Sequence, residues 1–391
     1  MRERVRRIPA NVRAVSVVSL VNDLASELAY PVVPLFLTTV LGAPVAVLGL
    51  IEGLAEGAAV ALGAASGWIS DRTGGRRVPW IAGGYTLTAV SRAAVAAAST
   101  WGLVLIGRLA DRTGKALRTA PRDALIRDSS DPELVGASFG FHRALDTIGA
   151  SIGPLVAVVL LTAGLSLRDV LWISVVPGLL AVLLVRRVRE APARPEGSHP
   201  APHLRPGYWW VVAAAVVFSL GNSSNAFLLL RASDLGLSTT LVILAYALYN
   251  VVYAGLAWPL GSLSDRVPRA AVLGVGISAY VFVYVGLAVA SEAWAVWPLF
   301  ALYGLYVAAT DGVMKAWVAD HVEGPMAGTA YGMFAGLVGA ALLMASLVAG
   351  VLWAAVSPAA TFWAGALLAL ASLPLVVLAA RFRSSVRVLP R

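Results

Sequence analysis

Gly67-Trp-Ile-Ser-Asp71-Arg72-Thr-Gly74-Gly75-Arg76-Arg77 closes one long apolar segment, and Gly261-Ser-Leu-Ser-Asp265-Arg266 closes another. The frame Gly-x-x-x-Asp-Arg therefore occurs twice, with Asp71 and Asp265 separated by 194 residues. Two further echoes keep a similar distance. Asp111-Arg-Thr-Gly-Lys115-Ala116 is followed 200 residues later by Asp311-Gly-Val-Met-Lys315-Ala316, and Phe139-Gly140 is followed 192 residues later by Tyr331-Gly332. Near-constant separations over three markers imply one unit duplicated within the chain.

The unit is built for lipid. Of 391 residues, 59% are hydrophobic and 13% charged, with a mean hydropathy of +0.80, too little polar residue to coat a soluble protein. Apolar segments fall at 14–40, 44–69, 78–99, 101–119, 136–163, 168–186, 208–230, 237–259, 270–290, 294–318, 327–353 and 361–380. A spanning helix takes about 20 such residues, whereas buried strands run for about 4–8. The expectation is an all-α integral membrane protein of about 12 spans in two pseudo-symmetric six-helix bundles. The bundles are residues 1–187 and 208–391, and the Pro-containing stretch 188–207 is a cytoplasmic linker.

Charge sets the orientation. The net charge of +9 comes from Arg in alternate connections: 2–13, 72–77, 118–127, 186–205, 266–269 and 381–391. Of the basic residues, the intervening connections hold only Arg168 and Arg231. By the positive-inside rule both termini are cytoplasmic, which an even number of spans also requires. This placement points to an inner-membrane, multi-pass protein and away from nucleic-acid binding. Met1 to Arg13 lacks a small-residue cleavage site before the first apolar run and reads as a tail rather than a removable signal. Cys is absent, so thiolate chemistry and Cys-based metal sites are excluded. His199 and His203 lie in the linker without a carboxylate or thiol to complete a metal site, and no metal is expected.

These motifs have a counterpart. Gly67-x-x-x-Asp71-Arg72-x-Gly74-x-Arg76-Arg77, with its second copy, is similar to the loop between spans two and three of the major facilitator superfamily. Arg108, Ala120-Pro121 and Ala124-Leu-Ile-x-x-Asp128 resemble the fourth-span motif, with Arg112 where that motif has Gly. Gly140-x8-Gly149-x3-Gly153-Pro154 resembles the fifth-span motif associated with antiporters, with Ala157-Val158 where Gly-Gly often follows. The resemblance covers essentially the whole chain. It implies a secondary transporter working by alternating access, its substrate path between the halves and lined by spans one, four, seven and ten. It also implies a conformational latch at Gly67, Asp71, Arg72, Gly74, Arg76, Asp128, Asp265 and Arg266; a plain topological anchor reads the same residues more modestly. Gly140, Gly149, Gly153 and Pro154 read either as helix packing or as an antiporter element.

Ionisable residues at membrane depth are functional candidates, because each costs several kcal/mol unless paired or wetted. The first span carries Asn22, Asp23 and Glu27; the second carries Glu52 and Glu56; the third carries Arg92. Arg108, Asp111, Arg112, Lys115, Arg118 and Arg122 form a helical stripe on the fourth, and His142, Arg143 and Asp146 follow on the fifth. The second half offers Asn222, Asn225, Asn250, Asp311 and Lys315. Through the resemblance, Asn22, Arg108, Arg112, His142, Asn222 and Asn225 become candidates for the substrate cavity. Asp23, Glu27, Glu52, Glu56, Asp111, Lys115, Asp311 and Lys315 become candidates for proton coupling. The chain's two lysines each follow an Asp by four residues, which suggests either symmetric charge switches or an i,i+4 ion pair inherited by duplication.

No GxxxxGK[ST] loop is present to hold ATP, so a proton gradient is the expected energy source, with no cofactor. The acidic first span and the antiporter-like fifth favour efflux of a small organic solute against protons. The basic fourth span suits an anionic or zwitterionic substrate, which keeps proton-coupled import of an organic anion open, as well as a lipid flippase on the same fold. No His cluster or metal motif suggests an enzyme, and a monomer suffices mechanically.

Overall fold

The computed structural model describes residues 8–72, 76–130, 135–191, 206–264, 266–321 and 327–382. Gly74, Asp265, His199 and His203 lie outside the described residues, as do the side chains of Asp71 and Arg72; Gly67 and Gly140 are described only as helical backbone.

The described residues are mostly helical, without strands. α1 (Ala10–Ala29) is extended by Val32–Leu35 and a π-helical turn, Phe36–Val40. α2 spans Val45–Arg72, α3 Val78–Ala96, α4 Trp101–Ser129, α5 Val135–Thr162 and α6 Leu167–Leu184. α7 runs over Pro206–Gly221 and resumes at Ala226–Asp234. α8 (Thr239–Ser264), α9 (Arg269–Val289), α10 (Val296–Ala319), α11 (Ala327–Ala355) and α12 (Pro358–Arg381) complete the chain. Each helix falls on one of the apolar segments. Among the described residues nine helical segments are long and apolar enough to cross a bilayer. α4 is not among them, because its charge stripe interrupts the apolar surface, and such a helix lies at membrane depth only where protein covers those charges.

The chain divides into two compact units, Met1–Pro195 with Ser238–Leu244, and Glu196–Leu237 with Ala245–Arg391. In the first, α1 packs on α5 and α6, and α3 on α4 and α6. In the second, α7 packs on α11 and α12, and α9 on α10 and α12. The pairings are the same six helices apart, so the duplication holds at the level of packing.

Two matched pairs of contacts set the register between the copies. Arg77 of the α2–α3 connection pairs with Asp128 of α4 at 3.0 Å, and Arg269 of α9 pairs with Asp320, just past α10, at 2.7 Å. Both residues of the second pair are displaced by 192 from the first. Gly84 meets Arg118 at the α3–α4 crossing, and Gly276 meets Thr310 at the α9–α10 crossing, displaced by the same 192. In this register Asp111 corresponds to Tyr303, not to Asp311. The two lysines are therefore not equivalent, which corrects the expected symmetry. Asp111 stands 17 residues before its clasp Asp and Asp311 stands nine before its own, a difference of about 12 Å along a helix. An Asp-x3-Lys pattern fixes a helix face but not a depth.

The two ends of each unit are stitched differently. At one end of the first unit Glu190 accepts hydrogen bonds from the Arg77 and Val78 amides, both at 3.0 Å, capping the start of α3. Asn11 bonds Ser129 and the Arg189 backbone. At the other end Arg168 of α6 donates to the Ala96 carbonyl at 2.9 Å, and Arg231 of α7 donates to the Leu287 and Ala290 carbonyls at 3.0 and 2.8 Å. Each of these two arginines, the exceptions in the charge pattern, caps the C-terminus of the third helix of its own unit.

Gly149 and Gly153 let α5 lie directly on α1. A Cβ on Gly149 would stand 2.3 Å from the Leu20 carbonyl oxygen, and one on Gly153 2.7 Å from the Leu28 nitrogen.

Candidate functional site

In the first unit the charges of α4 are met from three neighbouring helices. Arg108 donates to Glu52 of α2 through Nε at 3.1 Å and Nη2 at 2.7 Å, lies 3.8 Å from Asp111, and sits over the Tyr30 ring. Arg118 donates to Thr88 of α3 at 2.6 Å and lies over Tyr85, whose hydroxyl meets Ser19 of α1 at 2.9 Å. Arg122 pairs with Asp123 at 3.0 Å and reaches Ser19 at 3.4 Å. From α3, Arg92 extends to Asn22 and Ser26 of α1, both at 3.1 Å. Its Nη1 is buried with no hydrogen-bond partner, beside a cavity of about 30 Å3 that Arg108, Asp111 and Ser174 also line. That is room for a water or two.

The α1–α5 crossing holds a second cluster. Asp23 accepts from the Asn22 amide at 3.2 Å and lies in the field of Asp146 of α5. Asp146 pairs with Arg143 at 3.6 Å, and its Oδ1 is buried without a partner. His142, one turn earlier, is 4% exposed, and neither ring nitrogen has a partner. Glu27 and Glu56 are half-buried, and Arg112 lies in the fields of Glu56 and Asp111. Among the described residues Lys115 forms no ion pair; its side chain is exposed. Asp111 turns to Arg108 instead.

The second unit is made differently. A cavity of about 320 Å3 is walled by Phe218, Tyr249, Tyr303, Tyr306 and Phe334, with Asn222 and Asn225 from the interruption of α7 and Asp311 and Lys315 from α10. The Asn225 amide is spent: Nδ2 donates to the Tyr249 hydroxyl at 3.1 Å, and Oδ1 accepts from Tyr303 at 2.7 Å. Asn222 donates to the Tyr306 hydroxyl at 2.9 Å. Lys315 pairs with Asp311 at 3.1 Å, and Tyr253 donates to the other carboxylate oxygen at 3.0 Å. Behind the wall Tyr280 closes the opened backbone of α7 by donating to the Gly221 carbonyl at 2.7 Å, as a break at membrane depth requires.

The sequence reading selected Asn222, Asn225, Asp311 and Lys315 and passed over the aromatic residues around them. Tyr246, Tyr249, Tyr280, Tyr284, Tyr303 and Tyr306 form one edge-to-face and stacked network. Their signal was present, because Tyr246/Tyr249, Tyr280/Tyr284 and Tyr303/Tyr306 each recur at helical spacing.

The comparisons bear on what this assembly does. A family model of the Major Facilitator Superfamily matches residues 15–227 and again residues 209–390. The chain belongs to the major facilitator superfamily. An uncharacterized MFS-type transporter of Methanocaldococcus jannaschii is 33% identical over 382 residues, covering 95% of each chain. Among solved structures, the POT family transporter PepTSo superposes with a TM-score of 0.77 at 13% identity, over 95% of this chain and 98% of that one. A bacterial homologue of the human lysosomal transporter Spinster gives 0.71 at 18% identity, over 95% of both. Like its family, this facilitator is a multi-pass membrane transporter of small molecules, and family and fold point away from an enzyme.

Proposed function

We propose that this transporter exchanges an outward-moving organic solute for protons, by alternating access of its two units across the inner membrane, as a monomer with both termini cytoplasmic. What carries the reading is the placement of Asp23 on α1 and Asp146 on α5 in each other's field, at a crossing where Gly149 and Gly153 bring the two helices together. Two carboxylates in each other's field repel, and the uptake of a proton relieves that repulsion. An exchangeable proton at membrane depth is what coupling needs. The crossing is also dense in charge. Lys115, Arg118 and Arg122 face it from α4, Arg92 from α3, His142 and Arg143 from α5, and Glu27 lies one turn along α1. A change of protonation there alters the balance of the whole unit. The close approach at Gly149 and Gly153 makes the crossing responsive to such a change.

Import of an organic anion is the weaker reading. It rested on the basic surplus of α4, and Arg108, Arg118 and Arg122 are already engaged by Glu52, Thr88 and Asp123.

The test is proton flux in proteoliposomes containing a pH-sensitive dye, challenged with panels of organic cations, anions and neutral solutes. Solute-triggered proton movement, lost in Asp23→Asn, is expected. Solute uptake with no proton movement in the unaltered protein would sink the coupling.

A further inference from the structure

We infer that the cavity within the second unit is a binding site for an uncharged solute bearing an aromatic ring, which presents a hydrogen-bond donor to Asn222. The inference rests on the transporter reading and names the class of solute.

Size comes first. A cavity of about 320 Å3 lies at the lower end of the range for small-molecule sites, about 300–1,000 Å3, and suits one or two rings. The wall comes second. Five rings line it, and Tyr249, Tyr303 and Tyr306 are braced edge-to-face, with centroids 5.4 and 5.0 Å apart. Phe218 packs against Tyr306 at 5.7 Å. Because the rings brace one another, the wall holds its shape while empty, and an aromatic guest gains ring–ring contacts beyond the area it buries.

Charge comes third. Asp311 and Lys315 are the ionisable side chains of the lining, and they are paired with each other. Asp311 has both oxygens engaged, one by Lys315 and one by Tyr253. A cationic guest would have to share Asp311 with Lys315. An anionic guest would draw Lys315 away and leave Asp311 to a tyrosine hydroxyl. An uncharged guest disturbs neither.

The polar groups come last. Both ends of the Asn225 amide are consumed by tyrosines, and the Asn222 nitrogen is consumed by Tyr306. Among the described residues no group donates to the Asn222 carbonyl oxygen, which is left to accept from the guest. An acceptor that a guest covers without offering a donor weakens binding, so the guest that fits supplies one.

Equilibrium binding to the purified full-length chain in nanodiscs, by calorimetry without any gradient, tests this with one ring in three charge states. The probes are N-acetyltryptophanamide (neutral), tryptamine (cation) and indole-3-acetate (anion). N-acetyltryptophanamide is expected to bind at least about tenfold more tightly than either ion, and Tyr303→Ala to weaken it by about tenfold or more. Lys315→Gln should turn the preference toward tryptamine, and Asp311→Asn toward indole-3-acetate. Ions binding as tightly as the neutral probe, an order unchanged in both variants, or no binding of any probe to folded protein would each overturn the proposal. Lys315 is exposed, so Lys315→Gln keeps the test valid if Asp311→Asn misfolds. A loss of proton coupling in proteoliposomes leaves this binding order untouched, so the two readings fail separately.

Discussion

The two units share one packing scheme and hold opposite chemistry. In the 192-residue register Asp111 of the first becomes Tyr303 of the second, Arg92 becomes Tyr284 and Arg118 becomes Thr310. Where the first unit stabilises its interior with charges answered by charges, the second uses rings answered by rings. What duplication preserved is where the backbones approach, as at Gly84 and Gly276; what diverged is the chemistry facing inward. A fold of this kind can give the driving ion to one copy and the solute to the other.

The largest test of that contrast is Glu52→Ala. It leaves Arg108 buried with Asp111, at 3.8 Å, as its remaining carboxylate partner among the described residues, and breaking one side of a buried pair costs about 3–5 kcal/mol. A large drop in the thermal unfolding midpoint of the detergent-solubilised chain is expected; a shift under a degree or two would mean that the first unit's charges do not hold it together. Next comes the α1–α5 contact. Gly149→Ala pushes a methyl against a backbone carbonyl and should cost about 1–3 kcal/mol, whereas Gly83→Ala, with nothing within 4 Å, should move the same midpoint little. Equal effects would show that the close approach is slack. The smallest expected difference lies in the duplicated clasp. The Asp128 side chain is 0% exposed and that of Asp320 is 18% exposed, so Arg77→Gln should destabilise by more than Arg269→Gln, the latter by less than about 1 kcal/mol. The reverse order would break the comparison at its registration point.

Much of the fold was legible because lipid imposes a crude rule, about 20 apolar residues per span, and because Gly-x-x-x-Asp-Arg appears twice. The depth register was not. Asp111 and Asp311 look alike in sequence, and only the clasp and crossing contacts reveal that they stand at different heights. Within the site, helical spacing identified which faces of α1, α2 and α4 carry charge, but a face does not name its partner. That Glu52 meets Arg108, and that Asp23 lies in the field of Asp146, depends on which helices cross. The tyrosines were visible as letters and passed over because a ring at helical spacing reads first as core packing.

Arg168 and Arg231 bear on how the protein is assembled. Each sits at the end opposite the Arg-rich connections, where a bare guanidinium is poorly tolerated during insertion, and each finds its acceptors on a helix of its own unit, the ends of α3 and α9. For Arg168 that helix is already made when α6 emerges from the ribosome. For Arg231 it is not, since α9 follows α7 in the chain. The first unit can thus complete its capped end in the order of synthesis, while in the second Arg231 has Asp234 of its own helix as a partner until α9 brings the carbonyls. The half that carries the aromatic cavity therefore closes this cap only after α9 has been made.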